Sequence, residues 1–160
     1  RAARGLAYGV KPGMRAISLN ISGAAAVSSM IQPGDRVDVL GTFTLPSKEK
    51  PGEMETVTLT VLQDVSVLAT GQRMANQPFN ARTSSRLRSY STVTVEVAPR
   101  EAELLVFAQQ TKGRLTMSLR NPTDDSYEKD LPSVNFHLLE RTLPELNLYR
   151  QRNIRYKKDI

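Results

Sequence analysis

Apolar and polar residues alternate in several short segments of this chain, and this pattern constrains its fold more than any other feature. The clearest segment is YSTVTVEVA at residues 90–98, in which Val93, Val95 and Val97 occupy alternate positions. Successive side chains of a strand point to opposite faces, so such alternation is typical of a strand with one buried face. Similar segments lie at residues 14–21, 36–43, 54–63, 65–70 and 114–120. The chain is therefore predicted to form five or six strands.

Proline followed by glycine marks turns between these segments. The pairs are Pro12-Gly13, Pro33-Gly34 and Pro51-Gly52. Proline presets the backbone at the second position of a turn, and glycine accepts the positive φ that can follow. The polar stretch at residues 46–52 is predicted to be a hairpin loop. Gln63 and Asp64 are predicted to interrupt the alternation that runs through residues 54–70.

One helix is predicted at residues 100–112, directly after Pro99, because proline suits the first turn of a helix. Gly113 is predicted to cap its C-terminal end. The buried face is predicted from the apolar residues at helical spacing, which are Ala102, Leu105, Val106 and Ala108. A second helix of at most two turns is predicted within residues 23–31. The fold class is therefore mainly β, a β-rich α+β protein that forms a small β-clip or barrel-like module with a C-terminal extension.

Length and composition fit one domain with an extension and leave few parts for catalysis. The chain has 160 residues, of which 39% are hydrophobic, and it has no cysteine. Disulfides, iron–sulfur clusters, thiolate zinc sites and cysteine nucleophiles are thereby excluded. No apolar run approaches the ~18 residues of a membrane-spanning helix. Neither of the glycine-rich phosphate-binding motifs occurs, and no cofactor is expected.

Positive charge is concentrated in two segments. The formal net charge is +6. Residues 72–91 contain four arginines and no acidic residue, and residues 140–160 contain six basic and three acidic residues. The remaining chain is close to neutral, so the two segments are suited to a negatively charged partner surface. Because residues 71–91 show no apolar period, they are predicted to form a long loop that is either functional or disordered.

Three groups of residues have the composition of a chemical site. His137 is the single histidine and a candidate general base, although it lies between two apolar residues without an evident partner. An acidic cluster resembles the oxygen ligands of calcium but lacks the spacing of an EF-hand loop. Its members are Asp124, Asp125, Glu128 and Asp130. The charges that follow Pro33-Gly34 either face a ligand or are paired within the fold. We favour structural interpretations for all three groups.

Protein binding is predicted for the basic loop and the end of the chain. Tyrosine and arginine are enriched at protein interfaces, and both recur among apolar residues after residue 145. The predicted partner-binding residues are Arg82, Arg86, Arg88, Tyr149, Arg150, Arg152, Arg155 and Tyr156. Nucleic-acid binding is less favoured, because aromatic residues are only 6% of the chain and no helix-turn-helix pattern is present.

Three blocks of sequence resemble the CpaB/RcpC family of Flp, or tight-adherence (Tad), pilus assembly proteins. They are GMRAISLNISGAAAVSSMIQPGDRVDVLGTF, TVLQDVSVLATGQ and STVTVEVAPREAELLVFAQQTKGRLTMSLRNP. The resemblance covers residues 13–122, and its sharpest parts are PGDRVDV at residues 33–39 and SLRNP at residues 118–122. It implies three regions: a remnant of an SAF-like (β-clip) region at 1–40, a β-rich RcpC-type domain at 41–122 with the basic loop 72–91, and a partner-binding extension at 123–160.

The resemblance also implies a location and a partner. Family members are periplasmic and are tethered to the inner membrane by an N-terminal helix, which this chain does not contain. They work beside the outer-membrane secretin of the pilus, so we expect secretin docking, a homo-oligomer or ring, and no enzymatic activity. An alternative is a glycan- or peptidoglycan-binding module built on the SAF-like fold. A hydrolase using His137 and a nucleic-acid binder are further alternatives, although no nucleic-acid partner is expected.

Overall fold

The computed structural model describes residues 5–21, 30–71, 73–74 and 92–156, and side chains at 73–74 and 153–156 are outside that description. A short 3-10 helix at Leu6–Gly9 precedes the first strand. The strands are β1 (Arg15–Asn20), β2 (Arg36–Pro46), β3 (Met54–Thr70), β4 (Arg73–Met74), β5 (Thr92–Val97) and β6 (Arg114–Leu119). Two helices, α1 (Pro99–Gln110) and α2 (Phe136–Tyr156), complete the elements.

The strands form one antiparallel sheet in the order β1-β5-β3-β2-β6, and β4 pairs with the end of β3. One isolated parallel bridge joins Ile21, just after β1, to Leu115 in β6. The two edges of the sheet therefore approach each other at a single point, and the described strands do not close into a barrel. The prediction of a mainly β fold is confirmed, and the barrel-like expectation holds only as a strongly curved open sheet.

The core lies on the concave side of this sheet under α1. Its fully buried side chains include Leu19, Val37, Val39 and Val67, as the alternation predicts, and Leu105 from α1, as the helical spacing predicts. Burying large aliphatic side chains contributes roughly 1.5–3 kcal/mol each relative to leaving them exposed, which makes this cluster the main source of stability.

Strand β5 is more deeply covered than alternation predicts. Val93, Val95 and Val97 are buried, but so are Thr94 and Glu96 on the other face. The Thr94 hydroxyl lies 2.8 Å from the hydroxyl of Ser18. Glu96 accepts a hydrogen bond from the Lys11 backbone N–H at 2.8 Å and forms an ion pair with the Lys11 ammonium group at 3.6 Å. Both polar side chains therefore have hydrogen-bond partners, as buried polar groups in folded proteins generally do.

The predicted interruption at Gln63 and Asp64 is a bulge in one continuous strand. Val39 pairs with Leu62 while Val37 pairs with Val65, so β3 contains one extra residue there. Asp64 has a φ of 58°, in the left-handed region. A bulge of this type bends the strand and increases its twist, which helps the sheet to curve. The predicted hairpin loop between β2 and β3 is confirmed.

Two details of the predicted helix are wrong, and the end of β6 is more exposed than its alternation predicts. Val106 is 46% exposed, because the inward stripe is set by Leu105 and Ala108 and Val106 lies about 100° around the helix from Leu105. Leu119 is also 46% exposed, since β6 is leaving the core where it ends. Gly113 is not the left-handed cap; that conformation belongs to Lys112, with φ 57°.

Gly113 instead makes room for a ring. A Cβ atom built on Gly113 would lie 2.2 Å from the ring of Phe43 and 2.9 Å from the carbonyl oxygen of Ala108. A Cβ on Gly41 would lie 2.5 Å from the same ring. The Phe43 side chain thus packs directly on the backbone of two glycines, and this close approach requires glycine at both positions.

Two predictions concern residues that are not described. The short helix within residues 23–31 falls almost wholly on residues 22–29, and most of the basic loop falls on residues 75–91; both lie outside the described residues. The predicted boundary at residue 40 lies inside β2, and β1 and β5 from either side of it pair in the same sheet. The division into three regions stays a prediction.

Candidate interaction surface

A chain of ion pairs crosses the outer face of the sheet beside the β3 bulge. Arg36 on β2 forms an ion pair with Asp64 in the bulge. Asp38, two residues further along β2, accepts a hydrogen bond from the Asp64 backbone N–H at 2.8 Å and another from the Arg120 guanidinium group at 2.8 Å. Alternation places Arg36 and Asp38 on the face opposite Val37 and Val39. Arg36 and Asp38 are therefore paired within the fold, and Asp35 accepts a hydrogen bond from the Gln32 backbone N–H at 2.8 Å.

Arg120 connects this network to the chain beyond the sheet. Its side chain is only 7% exposed and contacts Asp38, the Asp124 carboxylate at 3.3 Å and the Ser126 carbonyl oxygen. The hydrogen bond to Asp38 raises the pKa of Arg120 further above its ordinary value, so the guanidinium group stays charged. One side chain at the end of β6 thus holds residues 124–126 against β2.

Asp124 is stabilised in its charged form. Hydrogen bonds from the Ser126 hydroxyl (2.6 Å) and backbone N–H (3.0 Å) lower the pKa of Asp124 below its usual 3.8, and Arg120 adds a favourable charge interaction. A lowered folded-state pKa gives stability that is present above pH 3.8 and lost as the pH falls through the folded-state pKa. We therefore expect this anchor to weaken only in strong acid. In the described part of the chain, no group of three or more His, Cys, Asp or Glu side chains is arranged to hold a metal ion.

Residues 126–135 then follow the open edge of β3. Gln63 and Glu128 exchange two hydrogen bonds, at 2.9 and 3.0 Å. Thr58 and Val134 exchange two backbone hydrogen bonds, at 2.8 and 2.7 Å, as an isolated antiparallel bridge. These contacts fix the path of the extension from the end of β6 to the start of α2. Residues 133–140 thus contain both a strand-like bridge, at Val134, and the start of α2.

Asn135 begins α2. Its side-chain oxygen accepts a hydrogen bond from the Leu138 backbone N–H at 2.9 Å, and its carbonyl oxygen accepts one from Leu139 at 3.0 Å. Asparagine is among the best N-cap residues because its side chain satisfies an otherwise unpaired N–H of the first turn. Its amide group also lies 3.4 Å from the Glu55 carboxylate on β3, which ties the helix start to the sheet.

Replacing Asn135 by alanine should therefore destabilise the start of α2 by about 1 kcal/mol. We expect faster amide hydrogen exchange in residues 136–142 and an unchanged melting temperature of the sheet, since the helix is peripheral. Asn147→Ala, in the exposed interior of the same helix, is the matched control and should leave exchange unchanged. Equal exchange rates in both variants would show that the cap does not hold the helix start.

Helix α2 is exposed along most of its described length. Every described side chain in it is exposed except the half-buried Leu138 and Thr142, and Pro144 lies in its middle. Exposed apolar side chains run along it at positions spaced by three and four residues, which are Phe136, Leu139, Leu143 and Leu146. The sequence analysis missed this stripe. Its spacing was visible, but Pro144 made a helix through these residues unexpected.

The predicted partner-binding residues fall into two groups. Tyr149, Arg150 and Arg152 are exposed on α2. Arg155 and Tyr156 belong to its last turn by backbone, while their side chains lie outside the described residues. Arg82, Arg86 and Arg88 lie outside the described residues. His137 is exposed in the first turn of α2.

A second apolar surface lies on α1. Phe107 and Val106 are exposed and line an open groove of about 530 Å³ together with Ala102, Glu103 and Gln110.

None of the helices in the described residues is both long and apolar enough to cross a membrane.

These features define an antiparallel β-sheet protein with an anchored, exposed helix, whose accessible surfaces are suited to binding. A protein-family model described as "Flp pilus assembly protein RcpC/CpaB" matches residues 4–120. The chain therefore belongs to the RcpC/CpaB family of Flp pilus assembly proteins. Searches of curated proteins and of solved structures each returned no match. The matched range contains Arg36, Asp38, Asp64 and Arg120, whereas α2 lies beyond it.

Proposed function

We propose that this protein is a non-enzymatic, periplasmic scaffold of the Flp (Tad) pilus secretion system. In this proposal it docks on the periplasmic part of the outer-membrane secretin, links the secretin to the inner-membrane machine and associates with further copies of itself. Membership in a pilus assembly family supports the assembly role. The observation that carries the docking role is the exposed basic helix α2, held to the sheet by Arg120, Val134 and Asn135.

The anchoring of α2 is what makes it suitable for docking. A free chain end loses much conformational entropy when it binds. A helix that is already formed and fixed at one end loses less. Residues 147–156 carry three arginines and no acidic residue, so this half of the helix suits an acidic partner surface. Charge of this kind raises the association rate and fixes orientation, while the aromatic and aliphatic side chains supply buried area.

Deleting residues 143–160 should abolish co-purification with the periplasmic domains of the secretin. The sheet should keep its melting temperature, because residues 143–152, the deleted residues whose side chains the structure describes, are exposed. A milder variant, Arg152→Ala with Arg155→Ala, should weaken secretin binding roughly tenfold, as expected when two interface arginines are lost. A triple alanine variant of Arg82, Arg86 and Arg88 tests the basic loop in the same assay.

The matched control is Lys48→Ala with Lys50→Ala, which removes the same charge from the exposed β2–β3 loop. This control should retain full binding if the position of the charge matters. Undiminished secretin binding after deletion of residues 143–160 would contradict docking through the extension. An equal loss in the lysine control would mean that net charge alone determines binding.

A further inference from the structure

The apolar stripe of α2 has the spacing of a helix–helix seam. Phe136, Leu139, Leu143 and Leu146 are separated by three, four and three residues, as the core positions of a coiled coil are. All four side chains are exposed, between 41% and 73%. A contiguous exposed stripe of large apolar side chains is characteristic of an interaction site. Within this chain, the sheet does not cover it.

Charge is distributed unevenly along the same helix. Its first half, residues 136–146, contains Glu140, Arg141 and Glu145 and has a net charge of −1. Its second half, residues 147–156, contains three arginines and has a net charge of +3. Two copies of α2 placed in parallel would set the two +3 halves beside each other. An antiparallel pair avoids this, because each +3 half then lies beside residues from the first half of the other helix, where positive charge is not in excess.

We propose that α2 forms an antiparallel pair with α2 of a second copy of this chain, through the stripe of Phe136, Leu139, Leu143 and Leu146. With Leu143 of one copy opposite Leu146 of the other, Arg150 lies beside Leu139 and Glu140 of the second copy. The arginine stem then covers Leu139 while its guanidinium group is close to the Glu140 carboxylate. Because the pair has two-fold symmetry, every such contact occurs twice.

This pairing leaves the opposite side of the helix free. Leu148 and Arg152 are both about 160° from the centre of the stripe at 100° per residue. The inference rests on the self-association included in the proposed function and is separate from secretin docking, which uses that outer side. An interfacial membrane helix is less favoured by the same charges, because Glu140 borders the stripe and Arg150 continues its line.

Leu146→Ser and Leu148→Ser form a matched pair that tests the stripe, because both leucines are 56% exposed in the same helix. The mass of the full 160-residue chain is measured by sedimentation over a concentration series up to millimolar protein. The wild-type chain should be a dimer at the upper end. Leu146→Ser should raise the dimer dissociation constant at least roughly tenfold, since two central apolar contacts are lost, and Leu148→Ser should leave it unchanged.

Charge reversal tests the orientation. Glu140→Arg and Arg150→Glu should each raise the dissociation constant roughly tenfold, since each converts two ion pairs to like-charge contacts. The double variant should return it to within about threefold of wild type. A lack of rescue in the double variant would overturn the antiparallel arrangement.

Three other outcomes overturn the pairing. They are a monomer at every concentration, equal effects of the two leucine variants, and a dimer unaffected by any α2 variant. Binding to anionic vesicles that is lost in Leu146→Ser while the chain stays monomeric would assign the stripe to a membrane surface instead. Secretin binding is measured in parallel, and its presence or absence tests the proposed docking separately from the pairing.

Discussion

Replacing Arg120 by methionine should lower the free energy of unfolding by about 2–3 kcal/mol. The variant leaves Asp38 without its guanidinium partner and releases the contacts to Asp124 and Ser126. Removing one partner of a buried pair costs more than the pair itself contributes, because an unpaired charge stays behind. Asp38 is 25% exposed, so water recovers part of the loss. For a chain of this size, we expect the melting temperature to fall by roughly 4–12 °C.

The loss should be accompanied by local loosening of the extension. Residues 121–128 should exchange their amide hydrogens faster and be cleaved more readily by protease than in the wild type. Arg114→Met is the matched control, because Arg114 is exposed at the other end of the same strand. It should change stability by less than about 0.5 kcal/mol. Equal destabilisation by the two variants would mean that the network does not hold the extension.

Gly113→Ala should destabilise the protein by about 2 kcal/mol. The added methyl group would overlap the ring of Phe43 and approach the backbone oxygen of Ala108, which cannot move without distorting the end of α1. The free energy is measured by urea unfolding. Gly5→Ala is the control, because a Cβ there has no atom within 4 Å and the backbone has ordinary dihedrals; it should leave stability nearly unchanged.

A second substitution separates overlap from other causes. Phe43→Leu removes part of the ring and should be destabilising on its own, yet it should recover part of the loss in a Gly113→Ala background. The two effects are expected to be non-additive by at least about 0.5 kcal/mol, because the residues are in contact. Strict additivity would show that the cost of Gly113→Ala does not come from the ring.

Local patterns predicted the strands well because each strand carries its own signal. Val93, Val95 and Val97 alternate within the six residues of β5. The bulge at Asp64 is likewise visible in the sequence, as a break in the alternation of β3. The helix after Pro99 is similarly local, since Glu101 accepts a hydrogen bond from the Ala98 backbone N–H at 2.6 Å. Whether a face of an element is buried depends on the elements packed against it. For that reason the exposure of Val106 and the burial of Glu96 were not predicted.

Long-range contacts were not predictable in the same way. Arg120 lies 82 positions from Asp38 in sequence, and Gly113 lies 70 positions from Phe43. Each residue is unremarkable in its own segment, and only the strand order brings it to its partner. The three blocks that resemble the family nevertheless contain Arg36, Asp64 and Arg120, so the shared sequence corresponds to one structural network. Helix α2 lies outside those blocks.

We propose that the sheet holds α2 in place so that α2 can bind a neighbouring subunit. Hydrogen exchange of residues 136–156 tests it most directly, measured on the protein alone and after assembly with the periplasmic domains of the secretin. We expect the amides of α2 to become strongly protected in the assembly while those of β5, already buried, change little. Exchange in α2 that is equally fast in both states would contradict the claim.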